Sequence, residues 1–153
     1  MPANRAETQP LPSASFYRLP ANLLTATEQH RAVCRVVAKA WQVLGQVNIL
    51  CRDEELAESM DDLLWTYQAG AFTPHGRDPQ EPVCLYAGTD ASVLRPAPAL
   101  ALVGLRELPG NLPEAARLLD FIPPDESGVA DARQRYRILR EAGYTIQTYT
   151  LEA

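Results

Sequence analysis

Apolar residues recur at helical spacing in three stretches of the chain and gather in short runs between them. After Thr25, the positions Val33, Val37, Ala40, Trp41 and Leu44 follow i, i+4, i+7, i+8 and i+11, which predicts one helix face. Thr25 and Glu28 have capping-box spacing at its start, and Gly45 supplies a C-terminal stop. Asp53 can cap a second helix with an apolar face of Leu56, Met60, Leu63 and Leu64 and an acidic face of Glu54, Glu55, Glu58, Asp61 and Asp62. The third helix is predicted over Val129 to Ala142, with Ala132, Tyr136, Ile138, Leu139 and Ala142 on a broad apolar arc. Between these lie predicted strands at Ser15 to Leu19, Gln46 to Cys51, Val83 to Tyr86, Ala99 to Val103 and Thr145 to Leu151. Pro113 to Leu119 reads as a short helix, Phe121-Ile122 as a short extended segment, and Ala87 to Pro98 as a mobile excursion. Met1 to Ala14, rich in Pro and Ala without periodicity, reads as a mobile tail ahead of a single domain over 15–153. Strands alternating with helices predict a single three-layer α/β sandwich around a mostly parallel sheet.

The third helix carries the pattern with the most chemistry. Arg133, Arg137 and Arg140, at i, i+4 and i+7, form a basic stripe bordered by Val129 and Tyr136. Guanidinium groups beside an aromatic and an aliphatic suit a ligand with both a carboxylate and an apolar side chain. The plainer reading is a solvated helix face supported by Arg137 and Glu141 at i, i+4. Arg135 falls inside the apolar arc, so its guanidinium needs a carboxylate, with Asp120 and Asp125 as candidates.

Composition narrows the classes. The 153 residues, 46% of them hydrophobic and 22% charged, are enough for one core without staples. A net charge of -5 argues against binding duplexes by bulk phosphate neutralisation. Cys34, Cys51 and Cys84 are far apart, no CxxC occurs, and only His30 and His75 could join them at a metal. Buried, reduced thiols are the simplest account. No apolar run approaches the ~20 residues of a membrane span and no signal pattern opens the chain, so a cytoplasmic protein is expected.

Machinery for chemistry on nucleotides or esters is not legible. GxGxxG, GxxxxGK[ST] and GxSxG are all missing, and the turn after the first strand, Pro20-Ala-Asn-Leu, offers no glycine nest for a phosphate. His75 sits in a Pro-His-Gly turn, read as structural. The expectation is therefore a non-catalytic protein without cofactor or metal. The competing readings are a nucleotide- or nucleic-acid-binding protein with undetected chemistry, and an interaction module for some other partner.

Phe16-Tyr17, Cys34, Ala38-Lys-Ala-Trp41, Asp62-Leu-Leu-Trp65, Phe72-Thr-Pro-His75, Asp120-Phe-Ile-Pro123, Ala132-Arg-Gln-Arg-Tyr136-Arg and Ala142-Gly-Tyr144 together resemble the chi subunit of bacterial DNA polymerase III holoenzyme. The order and spacing of these pieces carry the resemblance, which runs from about Phe16 to Tyr149. It implies a fold like that of mononucleotide-binding proteins, lacking a phosphate loop. It also implies two partners and no sequence-specific contact with nucleic acid. One is the psi subunit, which ties chi to the clamp-loader complex, with Trp65, Phe72 and Ile122 as the implied contacts. The other is the acidic C-terminal peptide of single-stranded DNA-binding protein, which ends in an apolar residue with a free carboxylate. That peptide is implied to meet Arg133, Tyr136, Arg137, Arg140 and Val129. Val129 stands where well-known members carry a lysine, which makes the helix start less basic. For Trp65 and Phe72 taken as residues alone, core packing is as good a reading as an exposed patch.

Overall fold

Caps written into the sequence start each helix. In a computed structural model, which describes residues 12–114 and 116–152, Thr25 and Glu28 close a reciprocal capping box on α1 (Ala26–Leu44), and Gly45 ends it in a left-handed conformation, φ 87°. Asp53 accepts the Leu56 N–H to open α2 (Glu54–Leu64). Asp125 accepts the Gly128 N–H to open α3 (Glu126–Glu141), three residues before the position predicted from periodicity. The strands are β1 (Ser13–Arg18), β2 (Val47–Cys51), β3 (His75–Gly76), β4 (Val83–Ala87), β5 (Ala99–Val103), β6 (Arg117–Ile122) and β7 (Thr145–Thr150).

These strands form one sheet in the order β3-β4-β2-β5-β6-β1-β7, and every adjacent pair is parallel. From β1 the chain crosses to β2 and on toward β3 and β4, whereas from β5 it runs the other way through β6 to β7. Right-handed crossovers taken in opposite directions put their helices on opposite faces. Accordingly α1 and α2 cover one core, built on residues such as Val37, Ile49, Met60 and Leu85. Leu139 and Tyr136 of α3 pack on the other, with Phe16, Leu50 and Leu118. The result is a three-layer α/β sandwich.

Several expectations need correction. The stretch read as a short helix from Pro113 to Leu119 instead becomes β6 from Arg117, continuous with the extended Phe121-Ile122. Its Leu-rich sequence favours a helix locally, but Leu118 and Leu119 fill the two cores on opposite faces, and β5 and β1 take up the backbone bonds. The supposed excursion from Ala87 to Pro98 is pinned. Arg95 donates to Asn48 Oδ1 at 2.8 Å and to the Pro82 carbonyl at 3.0 Å, and Asn48 donates back to the Arg95 carbonyl at 2.7 Å. Ser13 and Ala14, read as tail, begin β1; residues 1–11 of that stretch lie outside the described residues. Ile138 leaves the apolar arc and is 49% exposed, and Ala142 is exposed as well.

The cysteines are free and buried, and burial pushes both Cys34 and Cys51 up to about 12. Among the described residues no helix is long and apolar enough to cross a membrane.

Arg135 resolves its own placement. It donates to both carboxylate oxygens of Asp120 at 2.9 Å, and to the carbonyls of Leu105 and Arg106 at 3.0 Å. The two side chains are only 6% and 1% exposed. Burial pushes the Asp120 carboxyl up, and the Arg135 bonds oppose that shift. Removing one member of such a pair strands the other charge, so Arg135→Met is expected to lower the unfolding free energy by roughly 3–5 kcal/mol. Urea titration checks this; a loss below about 1 kcal/mol would mean the pair contributes little.

Candidate functional site on the C-terminal helix

Rotation of α3 about its axis decides which residues it offers. With Ala132, Arg135 and Leu139 buried, the Arg133, Arg137 and Arg140 side chains project into solvent, and Val129 and Tyr136 sit half-buried along the same flank. Tyr136 is held from behind by Phe16 of β1, edge to face at 5.5 Å. The Arg140 guanidinium carbon lies 6.0 Å from the Tyr136 ring centroid, a cation–π distance. Arg137 donates to Gln134 at 3.1 Å, not to Glu141 as the helix-pair reading expects. Among the described residues, no carboxylate lies within ion-pair distance of the three stripe guanidiniums. The face thus combines unpaired positive charge with a fixed aromatic, which is what a carboxylate-bearing apolar ligand requires.

The start of α3 was not legible as a constraint. A Cβ on Gly128 would stand 2.2 Å from Pro123 Cγ and 2.9 Å from Asp125 Oδ1. Only glycine lets the first turn of the helix close onto Pro123. Hydrogen bonds from Gly128 and Ser127 hold the Asp125 carboxyl below the usual carboxylate range. A glycine three positions after a capping aspartate, with Pro123-Pro124 ahead of it, is the available signal. The support of Tyr136 by Phe16 has none, because the two meet only through the fold.

Of the other implied contacts, Trp65 and Phe72 are 55% and 70% exposed, with ring centroids 6.0 Å apart. They form one apolar patch where α2 ends, at the amino ends of the strands. Ile122 is not brought to it. It sits half-buried at the carboxyl end of β6, against the core under α3, with β5 and β2 intervening before β4.

A crevice of about 870 Å³ opens at the carboxyl ends of the strands, where chain direction reverses between β2 and β5. Folds of this kind bind nucleotides there, with phosphate at a helix N-terminus. Here one amide at each helix start beside the crevice is already taken by a carboxylate, the Leu56 N–H by Asp53 on α2 and the Gly128 N–H by Asp125 on α3. Arg52, on the crevice wall, is spent on Asp53 at 2.9 Å.

The family model described as "DNA polymerase III chi subunit, HolC" matches residues 11–147. The chain belongs to the DNA polymerase III chi subunit family. It is 31% identical over 140 residues to the "DNA polymerase III subunit chi" of Pseudomonas aeruginosa, covering 89% of this chain and 94% of that one. The protein of the same name from Escherichia coli is 30% identical over 148 residues, covering 90% and 97%. That of Haemophilus influenzae is 27% identical over 139 residues, covering 89% and 95%. The crystal structure of T4 UvsW superposes with a TM-score of 0.55 at 10% identity, covering 92% of this chain and 41% of that one. That likeness concerns the fold alone.

In this family member, Gly128→Ala tests the geometry of the site. Glycine to alanine in a helix ordinarily gains about 0.5–1 kcal/mol. Against the rigid Pro123 ring it is expected to lower the melting temperature instead, as read by circular dichroism. A raised melting temperature would mean that the helix start can shift off Pro123.

Proposed function

We propose that this chain is a non-catalytic accessory subunit of the replicative DNA polymerase that joins two partners through separate surfaces. The first surface is the α3 stripe, which takes the acidic C-terminal peptide of single-stranded DNA-binding protein. What supports this is the set of exposed guanidiniums, with no carboxylate partner among the described residues, beside a half-buried Tyr136. Arg133, Arg137 and Arg140 meet the terminal carboxylate and neighbouring acidic groups, while Tyr136 and Val129 flank the last apolar side chain. Exposed ion pairs contribute only ~0–1 kcal/mol each, so the apolar contact carries much of the affinity. The sum corresponds to micromolar binding, about −8 kcal/mol. Added salt weakens it, since exposed charges are screened over roughly 8–10 Å.

Calorimetry with a synthetic tail peptide tests this. Arg137→Glu is expected to abolish measurable binding while leaving the circular dichroism spectrum unchanged, because Arg137 is exposed and among the described residues its side chain hydrogen-bonds to Gln134 alone. Unchanged affinity would reduce α3 to a solvated face.

The second surface is the Trp65–Phe72 patch, which docks the psi subunit of the clamp-loader complex. Two adjacent aromatics, both more than half exposed at the end of a helix, support this reading. Ile122, standing elsewhere, is left out of the patch. Central interface aromatics typically contribute about 2 kcal/mol or more on truncation. Trp65→Ala is therefore expected to weaken psi binding at least about thirtyfold with little change in melting temperature. Psi binding as in the wild type would remove Trp65 from the interface.

A further inference from the structure

Parallel sheets are ordinarily covered by helices on both faces. Here the cover is incomplete. α1 and α2 pack on β2, β4 and β5, and α3 packs on the opposite face against β6 and β1. Beyond α1, its own side of β1 and β7 has no helix packed on it among the described residues. β7 is exposed along nearly its whole length.

A trough of about 760 Å³ follows that gap. Tyr17 and Leu119 form its floor, and Tyr17 is stacked between Phe121 and Tyr149 at 5.6 and 5.3 Å. One wall is the flank of α1, where Val36, Ala40 and Val43 recur at i, i+4 and i+7. Val43 is 70% exposed and Tyr149 41%. The wall runs from Ala32 to Leu44, about 18 Å of helix, which leaves room for roughly three turns of a second helix alongside.

Charge along that wall selects the occupant. Arg31, Arg35 and Lys39, at i, i+4 and i+8, stand exposed on the ridge beside the apolar flank. Among the described residues none of the three lies within ion-pair distance of a carboxylate. Arg117, exposed at the start of β6, adds a further cation. The carboxylates of the lining, Glu114 and Glu152, come from other elements, before β6 and after β7, so the α1 wall is purely basic. A phosphate chain would also meet these cations, but the lining is mostly apolar and the two glutamates repel it.

We propose that this trough docks an acidic amphipathic helix of another protein. Its apolar stripe lies on Tyr17, Val36 and Val43, and its acidic flank faces Arg35 and Lys39. Such a helix completes the missing layer over β1 and β7, with its apolar anchors seated in the groove. The trough is across the sheet from the α3 stripe and toward the opposite edge from Trp65 and Phe72, so it rests on neither reading.

Nitrogen-15 NMR of the full-length Arg137→Glu chain, in which the α3 stripe is disabled, tests the proposal. The probe is a synthetic helical peptide with leucine at i, i+3, i+4 and i+7 and glutamate at the flanking positions. Amide shifts are expected at Val36, Ala40, Val43 and Tyr149, and added salt is expected to weaken binding. Arg35→Glu combined with Lys39→Glu is expected to lower the affinity at least about tenfold. Val43→Gln, which changes an exposed side chain, is expected to lower it about tenfold as well. No shift on α1 overturns the proposal. So does a version of the peptide with lysine for every glutamate that binds as tightly, or oligothymidylate that binds the trough more tightly than the peptide. Two other occupants also overturn it: a second copy, seen as a dimer in sedimentation that Val43→Gln dissociates, and residues 1–11, seen as nuclear Overhauser contacts to Val36.

Discussion

The buried pair between Arg135 and Asp120 sets the orientation on which the proposed peptide face depends. A guanidinium inside an apolar arc is tolerable only when its donors are met, and Asp120 on β6 with the Leu105 and Arg106 carbonyls meets them. Two parallel bonds to one carboxylate leave the helix a single rotation. That rotation sends Arg133, Arg137 and Arg140 outward and lays Tyr136 on Phe16. Ile138 falls beyond the edge of the buried arc of Ala132, Arg135 and Leu139 and is left exposed. The same pair joins α3 to β6 and to the loop after β5, so helix, sheet and crevice wall are fixed together.

Parallel α/β sheets of this kind present helix N-termini at the carboxyl edge, where anions collect. In this member of the family those termini are closed from within, by Asp53 on α2 and Asp125 on α3. At each of them one N–H donor that could grip a phosphate is taken by a side chain three residues earlier. Positive charge stands instead on the flank of α3, where no carboxylate among the described residues pairs with it. The fold thereby keeps its shape while the surfaces proposed for recognition sit on the outside of helices.

The end of α2 is managed differently from the end of α1. Gly45 closes α1 in a left-handed turn, a device contained within the chain's own local sequence. α2 has no such residue, and a histidine eleven positions beyond its last residue supplies the missing donor. That arrangement leaves Trp65 on the outside, above the histidine, instead of folded into the core.

What the sequence alone determined is what local physics controls. The capping box at Thr25, the Asp53 cap, the glycine stop, the interior strands Val47–Cys51 and Ala99–Val103, and the arginine stripe all follow from residues within a few positions of one another. Arg135 could be read as needing a carboxylate, with Asp120 and Asp125 left as alternatives. Choosing Asp120 took the fold, which brings together residues 15 apart in the chain. The strand at Arg117, the Arg95 clamp on Asn48 47 residues away, and the closeness of Gly128 to Pro123 were likewise settled by packing. So was the exposure of Trp65 and Phe72, which core burial explained equally well beforehand. Periodicity reports which residues share a face, but only neighbours distant in sequence decide which face is covered.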